Sequence, residues 1–195
     1  MDANAWDERY GAEERVWPAE PNLWVVRETS ELPPGRALDL AAGEGRNALW
    51  LARRGWSVDA VDFSPVAVRR MADLAERQQA DVHAELADVT RYAPQESAYD
   101  LVLLSYLQLP RQDMEGVLDT ACRVARPGAT LLLVGHDISN LDHGIGGPQD
   151  LQVLSSTDQV TAAWEPYADI AVAEVARRPV GDAAALDTVV RAVRR

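Results

Sequence analysis

Cysteine occurs once, as Cys122, so the chain can form neither an intrachain disulfide nor a thiolate cage around a metal. Positive charge is also scarce: 19 Lys and Arg face 31 Asp and Glu, for a formal net charge of −12. That balance argues against a nucleic-acid partner, because polyanions are held by clustered Lys and Arg. The arginines come as scattered pairs, Arg53-Arg54, Arg69-Arg70, Arg177-Arg178 and Arg194-Arg195, as expected of solvated helix and strand ends. No apolar run approaches the length of a bilayer span, and residues 1–6 lack the basic stretch and apolar run of a secretory signal. A cytoplasmic protein without a membrane partner is the expectation, as monomer or homodimer. Internal repeats and low-complexity linkers are missing too.

What is present is an ordinary globular composition. The 195 residues, 47% hydrophobic and 26% charged, suit a single domain over 1–195 with a real core. Residues 1–32 hold Trp6, Tyr10, Trp17 and Trp24 and are expected to form a helical lid segment, ended by Pro33-Pro34-Gly35. Short apolar runs then alternate with helical patterns, the signature of parallel β-α-β units. Residues 36–42, 56–61, 82–86, 99–104 and 129–134 read as strands. Helical spacing follows Asn47, with Gly55 as its stop, and follows Ser64-Pro65, an N-cap and first-turn proline. Met114, Val117, Leu118, Ala121 and Cys122 make another helical stripe. Residues 170–180 and 186–193 read as a hairpin about Gly181-Asp182, which places an antiparallel strand at the end of a parallel sheet.

The most informative stretch runs from Asp39 to Asn47, where a strand delivers Gly43-x-Gly45 into a helix start. Such a turn leaves free N–H groups and lets a ligand approach the backbone. Gly43, Gly45 and Ala48 satisfy the dinucleotide fingerprint, with Asp62 near the ribose position, so an NAD reading must be weighed. Asp39 speaks against it: a carboxylate just before the turn repels a pyrophosphate. It suits an ammonium and a sulfonium, and S-adenosylmethionine carries both and no phosphate. Asp62, ending the second strand, can accept both ribose hydroxyls, and Asp88, after the third, can accept the adenine amino group. Three acids thus converge at the strand ends where open α/β sheets bind ligands.

In order along the chain, DLAAGEGRN (39–47), AVDFS (60–64), LAD (86–88), YDLVLLSYL (99–107) and ARPGATLLLVG (125–135) resemble motifs of the class I S-adenosylmethionine-dependent methyltransferases. GEGRNALWLA (43–52), the tryptophan-rich start and the short length resemble the small bacterial tellurite-resistance and thiopurine methyltransferases. The resemblance implies an α/β fold: a Rossmann-like, doubly wound, mostly parallel seven-stranded sheet with an antiparallel C-terminal strand. It implies S-adenosyl-L-methionine as cofactor, S-adenosyl-L-homocysteine as product, and a cofactor site of Asp39, Ala41, Gly43, Gly45, Asn47, Asp62, Phe63, Asp88, Val89 and Ser105. Tyr10 and Trp17 are added as lid residues offering a π face to the sulfonium. Ala41 departs from the family, standing where the first glycine of the motif is usual.

Methyl transfer to a small-molecule acceptor by in-line displacement asks mainly for alignment and desolvation. A thiolate or selenide needs no base, whereas a hydroxyl or amine benefits from one. Tyr106 and His136, after the fourth and fifth strands, are the catalytic candidates. Asp137 adjoins His136, but neighbours on a strand point to opposite faces, which disfavours a direct dyad. His136, Asp137 and His143 are spaced too loosely for a metal site, and none is expected. Residues 137–154 form a long connection suited to an acceptor wall. Two other functions stay open: an S-adenosylmethionine-binding protein without transferase activity, and an NAD-linked oxidoreductase.

Overall fold

Asn22 opens a helix, α1 (Leu23–Thr29), by accepting the N–H groups of Trp24 and Val25 on its side-chain oxygen. The computed structural model describes residues 6–7 and 19–195. Its chain divides into two compact units, one through Tyr92 and one from Ala93. Tyr10 and Trp17, expected in a lid, lie outside the described residues.

In the first unit β1 (Arg36–Leu40), α2 (Arg46–Arg53), β2 (Ser57–Asp62), α3 (Pro65–Gln78) and β3 (Val82–Leu86) follow α1. The strands pair in parallel, with Leu40 beside Val61 and Asp62 beside Leu86. Register therefore brings Asp39, Asp62 and the residues after Leu86 to one end of the three strands. Ser64 caps α3 through the Ala67 N–H, and Pro65 supplies the first turn, where its missing donor costs nothing. Ala37, Leu38, Leu51, Val61, Ala67 and Met71 are wholly buried between these helices and strands. A side chain of that size contributes about 1.5–3 kcal/mol on leaving water. β1 stops two residues short of the expected end because Ala41 turns to φ 63°.

The second unit holds β4 (Tyr99–Ser105), α4 (Arg111–Val124), β5 (Ala125–His136), the short α5 (Asn140–His143), α6 (Thr157–Trp164), β6 (Ala168–Val180) and β7 (Ala183–Arg194). β4 and β5 run parallel, while β7 pairs antiparallel with both β5 and β6 and so lies between them. β5 starts earlier than its apolar run because the Pro127-Gly128 turn is absorbed as a register shift against β4. The expected stripe on α4 is buried throughout, Cys122 included. Trp164 is fully buried and its indole N–H donates to the Leu118 carbonyl, fastening α6 to α4. The seven strands, parallel but for the two pairings of β7, and their helices are those of the expected α/β fold. No helix among the described residues is long and apolar enough to cross a membrane.

Candidate active site

The first unit brings the turn after β1 and the Asp39 and Asp62 carboxyls together. After β1 three of five residues adopt left-handed backbone: Ala41 (φ 63°), Gly43 (φ 59°) and Gly45 (φ 81°). The turn is closed by Ala42 N–H donating to the Val61 carbonyl and Gly45 N–H to that of Ala42. Gly45 is required twice over, since a Cβ there would lie 2.6 Å from Cγ of buried Met71. Asp62 reaches across and accepts the Gly43 N–H on Oδ2 at 2.8 Å and the Ser64 N–H on Oδ1 at 3.0 Å. Burial nonetheless raises its pKa against these hydrogen bonds.

Asp39 is 1% exposed, and neither carboxylate oxygen has a hydrogen-bond partner. Burial, then the neighbouring Asp62 charge, pushes its pKa up to about 7, while Arg46 and the Ala48 N–H, which misses hydrogen-bond geometry, pull it down. An unpaired buried carboxyl is costly unless neutralised or met by a donor, so this one fits a cationic, hydrogen-bonding ligand. Asp88 is exposed, its Oδ1 accepting from the N–H and hydroxyl of Thr90, with Val89 buried behind it and Phe63 half-buried after Asp62. Asn47 Oδ1 accepts the Asn22 N–H at 2.9 Å, tying α1 to the start of α2.

The second unit brings Tyr106 and His136 together. Ser105 ends β4 with its hydroxyl oxygen buried and unpartnered, and Tyr106 follows in a left-handed conformation at φ 57°. The Tyr106 and His136 rings meet edge to face, with centroids 4.9 Å apart. Two residues missed in the sequence complete the cluster. Asp187, fully buried on β7, accepts the Tyr106 hydroxyl at 2.8 Å and Arg178 Nε at 2.7 Å on Oδ2. Its Oδ1 lies 3.6 Å from His136 Nδ1. A carboxylate set among the apolar residues of Ala183–Val190, broken otherwise only by Thr188, was the available signal for Asp187. Burial pulls the Arg178 guanidinium down, but Asp187 and Tyr106 outweigh it and hold the charge in place. Burial likewise lowers the His136 pKa, and Arg178 adds to that, against the opposing pull of Asp187.

Asp137 follows the end of β5 and is committed elsewhere. It accepts from Ser139 on Oδ1 and from the Thr188 hydroxyl on Oδ2 at 2.7 Å. The long connection after it is pinned by buried Asn140, whose Nδ2 donates to the Gly146 carbonyl and whose Oδ1 accepts the Leu186 N–H. This brings Gly147 (φ 77°) onto the His136 ring so closely that a Cβ would lie 2.9 Å from Nδ1.

Residues 37–128 match the family model described as a methyltransferase domain. Hemagglutinin 1 of Eikenella corrodens is 36% identical over 56% of the chain and 37% of its own length. The 2-heptyl-1-hydroxyquinolin-4(1H)-one methyltransferase of Mycobacteroides abscessus is 27% identical over 67% of the chain and 59% of its own length. The tRNA 5-carboxymethoxyuridine methyltransferase of Escherichia coli is 31% identical over 61% and 48%. The chain thus spans 37% to 59% of the lengths of these curated relatives. Among solved structures, one from work on the conversion of a disulfide bond into a thioacetal group in echinomycin biosynthesis has a TM-score of 0.76 at 20% identity, covering 98% of this chain and 92% of that one. TehB of Haemophilus influenzae follows at 0.72 and 16%, covering 88% and 61%. An S-adenosylmethionine-dependent methyltransferase of Methanosarcina mazei scores 0.71 at 16%, covering 86% and 96%.

The fold is therefore the Rossmann-like α/β sheet seen in these solved structures, among them the S-adenosylmethionine-dependent methyltransferase. Residues 37–128 thus match a methyltransferase domain, and in fold the chain is similar to the class I S-adenosylmethionine-dependent methyltransferases.

Proposed function

We propose that the chain transfers a methyl group from S-adenosylmethionine to a small-molecule acceptor. The observation that carries this reading is the Asp39 carboxyl, buried without a partner beside a left-handed glycine turn. A pyrophosphate brings negative charge to such a place, whereas the donor's ammonium brings a cation and N–H donors. Asp62 would hold the ribose hydroxyls on the lone pairs its backbone contacts leave free. Asp88 would take the adenine amino group, with Phe63 and Val89 offering apolar surface to the ring. When bound, S-adenosylmethionine supplies an activated methyl group on a sulfonium.

A small acceptor is favoured over a nucleic acid by the formal charge of −12, although one relative is named for a tRNA substrate. The Mycobacteroides relative, named for a small hydroxyquinolone, agrees with this choice. Isothermal titration of the purified protein with S-adenosylmethionine, S-adenosylhomocysteine and NADH tests the donor: the first two bind and NADH does not. An S-adenosylhomocysteine release assay over thiols, chalcogen oxyanions, phenols and amines tests the transfer. Binding of NADH alone would overturn the reading.

A further inference from the structure

Three groups crowd the His136 ring. Tyr106 meets it edge to face, Gly147 lies on it, and its Nδ1 is buried with Asp187 Oδ1 at 3.6 Å. Nδ1 is the only His136 nitrogen that is both buried and unpartnered, and Nε2 makes no hydrogen bond, so the 14% exposure of this side chain includes Nε2. Asp187 in turn cannot swing away, because Tyr106 and Arg178 both donate to its Oδ2. A nitrogen facing a fixed carboxylate carries the proton, which leaves the lone pair on the other nitrogen. At 3.6 Å the pair is longer than a hydrogen bond, a common state of such contacts before substrate arrives.

We propose that Asp187 fixes His136 with its proton on Nδ1, making Nε2 the base that takes a proton from an acceptor bearing a hydroxyl or amine N–H. This rests on the methyl-transfer reading above and narrows it to acceptors that are protonated before reaction. The acceptor oxygen or nitrogen bonds to the methyl carbon as the donor's carbon–sulfur bond breaks. The sulfur keeps that electron pair and becomes a neutral thioether. The acceptor's proton moves to Nε2 and leaves from there to water. Asp187 is a positioning residue, and Arg178 and Tyr106 hold it. Besides Asp187, the charged group acting on His136 is Arg178, whose charge adds to burial in disfavouring protonation.

The test combines kinetics with a measurement on the unaltered protein. With S-adenosylmethionine saturating at every pH, so that Asp39 does not enter, kcat/KM for phenol and amine acceptors falls on the acid side along one ionisation. His136→Gln removes that limb and lowers the rate about 100-fold or more, while its affinity for S-adenosylhomocysteine stays within twofold. Asp187→Asn shifts the limb. Should that buried variant fail to fold, nitrogen-15 NMR of the wild type reads the same arrangement, with the Nδ1–H tautomer expected. An Nε2–H tautomer, or a His136→Gln profile matching wild type, overturns the proposal. Turnover confined to thiols and indifferent to His136 also overturns it, while leaving methyl transfer intact. Failure to bind S-adenosylhomocysteine removes both.

Discussion

Asp62 Oδ2 accepts the Gly43 N–H at 2.8 Å, so the carboxylate that ends β2 is also a brace for the glycine turn after β1. The Ser64 N–H on Oδ1 completes the brace. One side chain therefore shapes the turn and presents acceptors beside it, and the two duties can be separated by substitution.

Asp62→Asn keeps an oxygen for one backbone N–H but loses the charge. Hydrogen bonds to charged groups contribute about 1.5–3 kcal/mol, so S-adenosylhomocysteine affinity should fall about 10- to 100-fold. Isothermal titration measures it, with circular dichroism confirming the fold. An unchanged affinity would remove Asp62 from the donor site.

Asp39 gives the binding a pH dependence. Its pKa of about 7 stands above the ordinary 3.8, so the proton must leave before a cation is met. Affinity should rise as pH passes through 7 and weaken up to about tenfold per unit below it. Titrations at pH 6, 7 and 8 should show this slope, and Asp39→Asn should flatten it. The sign for folding is opposite: the stability Asp39 contributes is complete below pH 3.8 and lost as pH rises through about 7. The unliganded Asn variant should thus gain on wild type in urea unfolding at pH 8, by at most a few kcal/mol.

Gly45→Ala combines a left-handed φ of 81° with a Cβ 2.6 Å from Met71 Cγ. The backbone term is about 1–2 kcal/mol and overpacking about 1–3 kcal/mol, so chemical denaturation should show a loss of about 2–5 kcal/mol. In a Met71→Ala background the same substitution should cost only the backbone term. Equal losses in both backgrounds would mean that Met71 is not the obstacle.

Ala41 at φ 63° carries a strain that glycine lacks. Ala41→Gly should stabilise the fold by about 1 kcal/mol or less, since glycine's added freedom in the unfolded chain offsets part of the relief. The midpoint of urea unfolding reports it. A destabilised variant would show that the methyl group packs usefully.

The glycine turn of the first unit was legible because its parts are local. A strand, a Gly-x-Gly turn and a helix start lie within Asp39–Asn47, and each acid falls near the end of an expected strand. The cluster in the second unit was legible only as far as Tyr106 and His136. Asp187 and Arg178 reach them through β7 lying between β5 and β6, a pairing order that no local periodicity records. His136 and Asp137 do part, and the hydrogen bonds from Ser139 and Thr188 explain where Asp137 goes instead. The bond from the Asn22 N–H to Asn47 Oδ1 was not legible, because Asn22 lies outside the motif that contains Asn47.

The central place of β7 has a bearing on how the protein is made. β5 and β6 leave the ribosome before β7 does, yet it is β7 that joins them. During that interval both strands show unpaired edges, the kind of surface on which nascent chains associate wrongly. His136 is likewise translated well ahead of Asp187. A chain stalled before β7 would hold its imidazole without the carboxylate that sets the proton, so the half-made protein would be at its stickiest while it is still chemically silent.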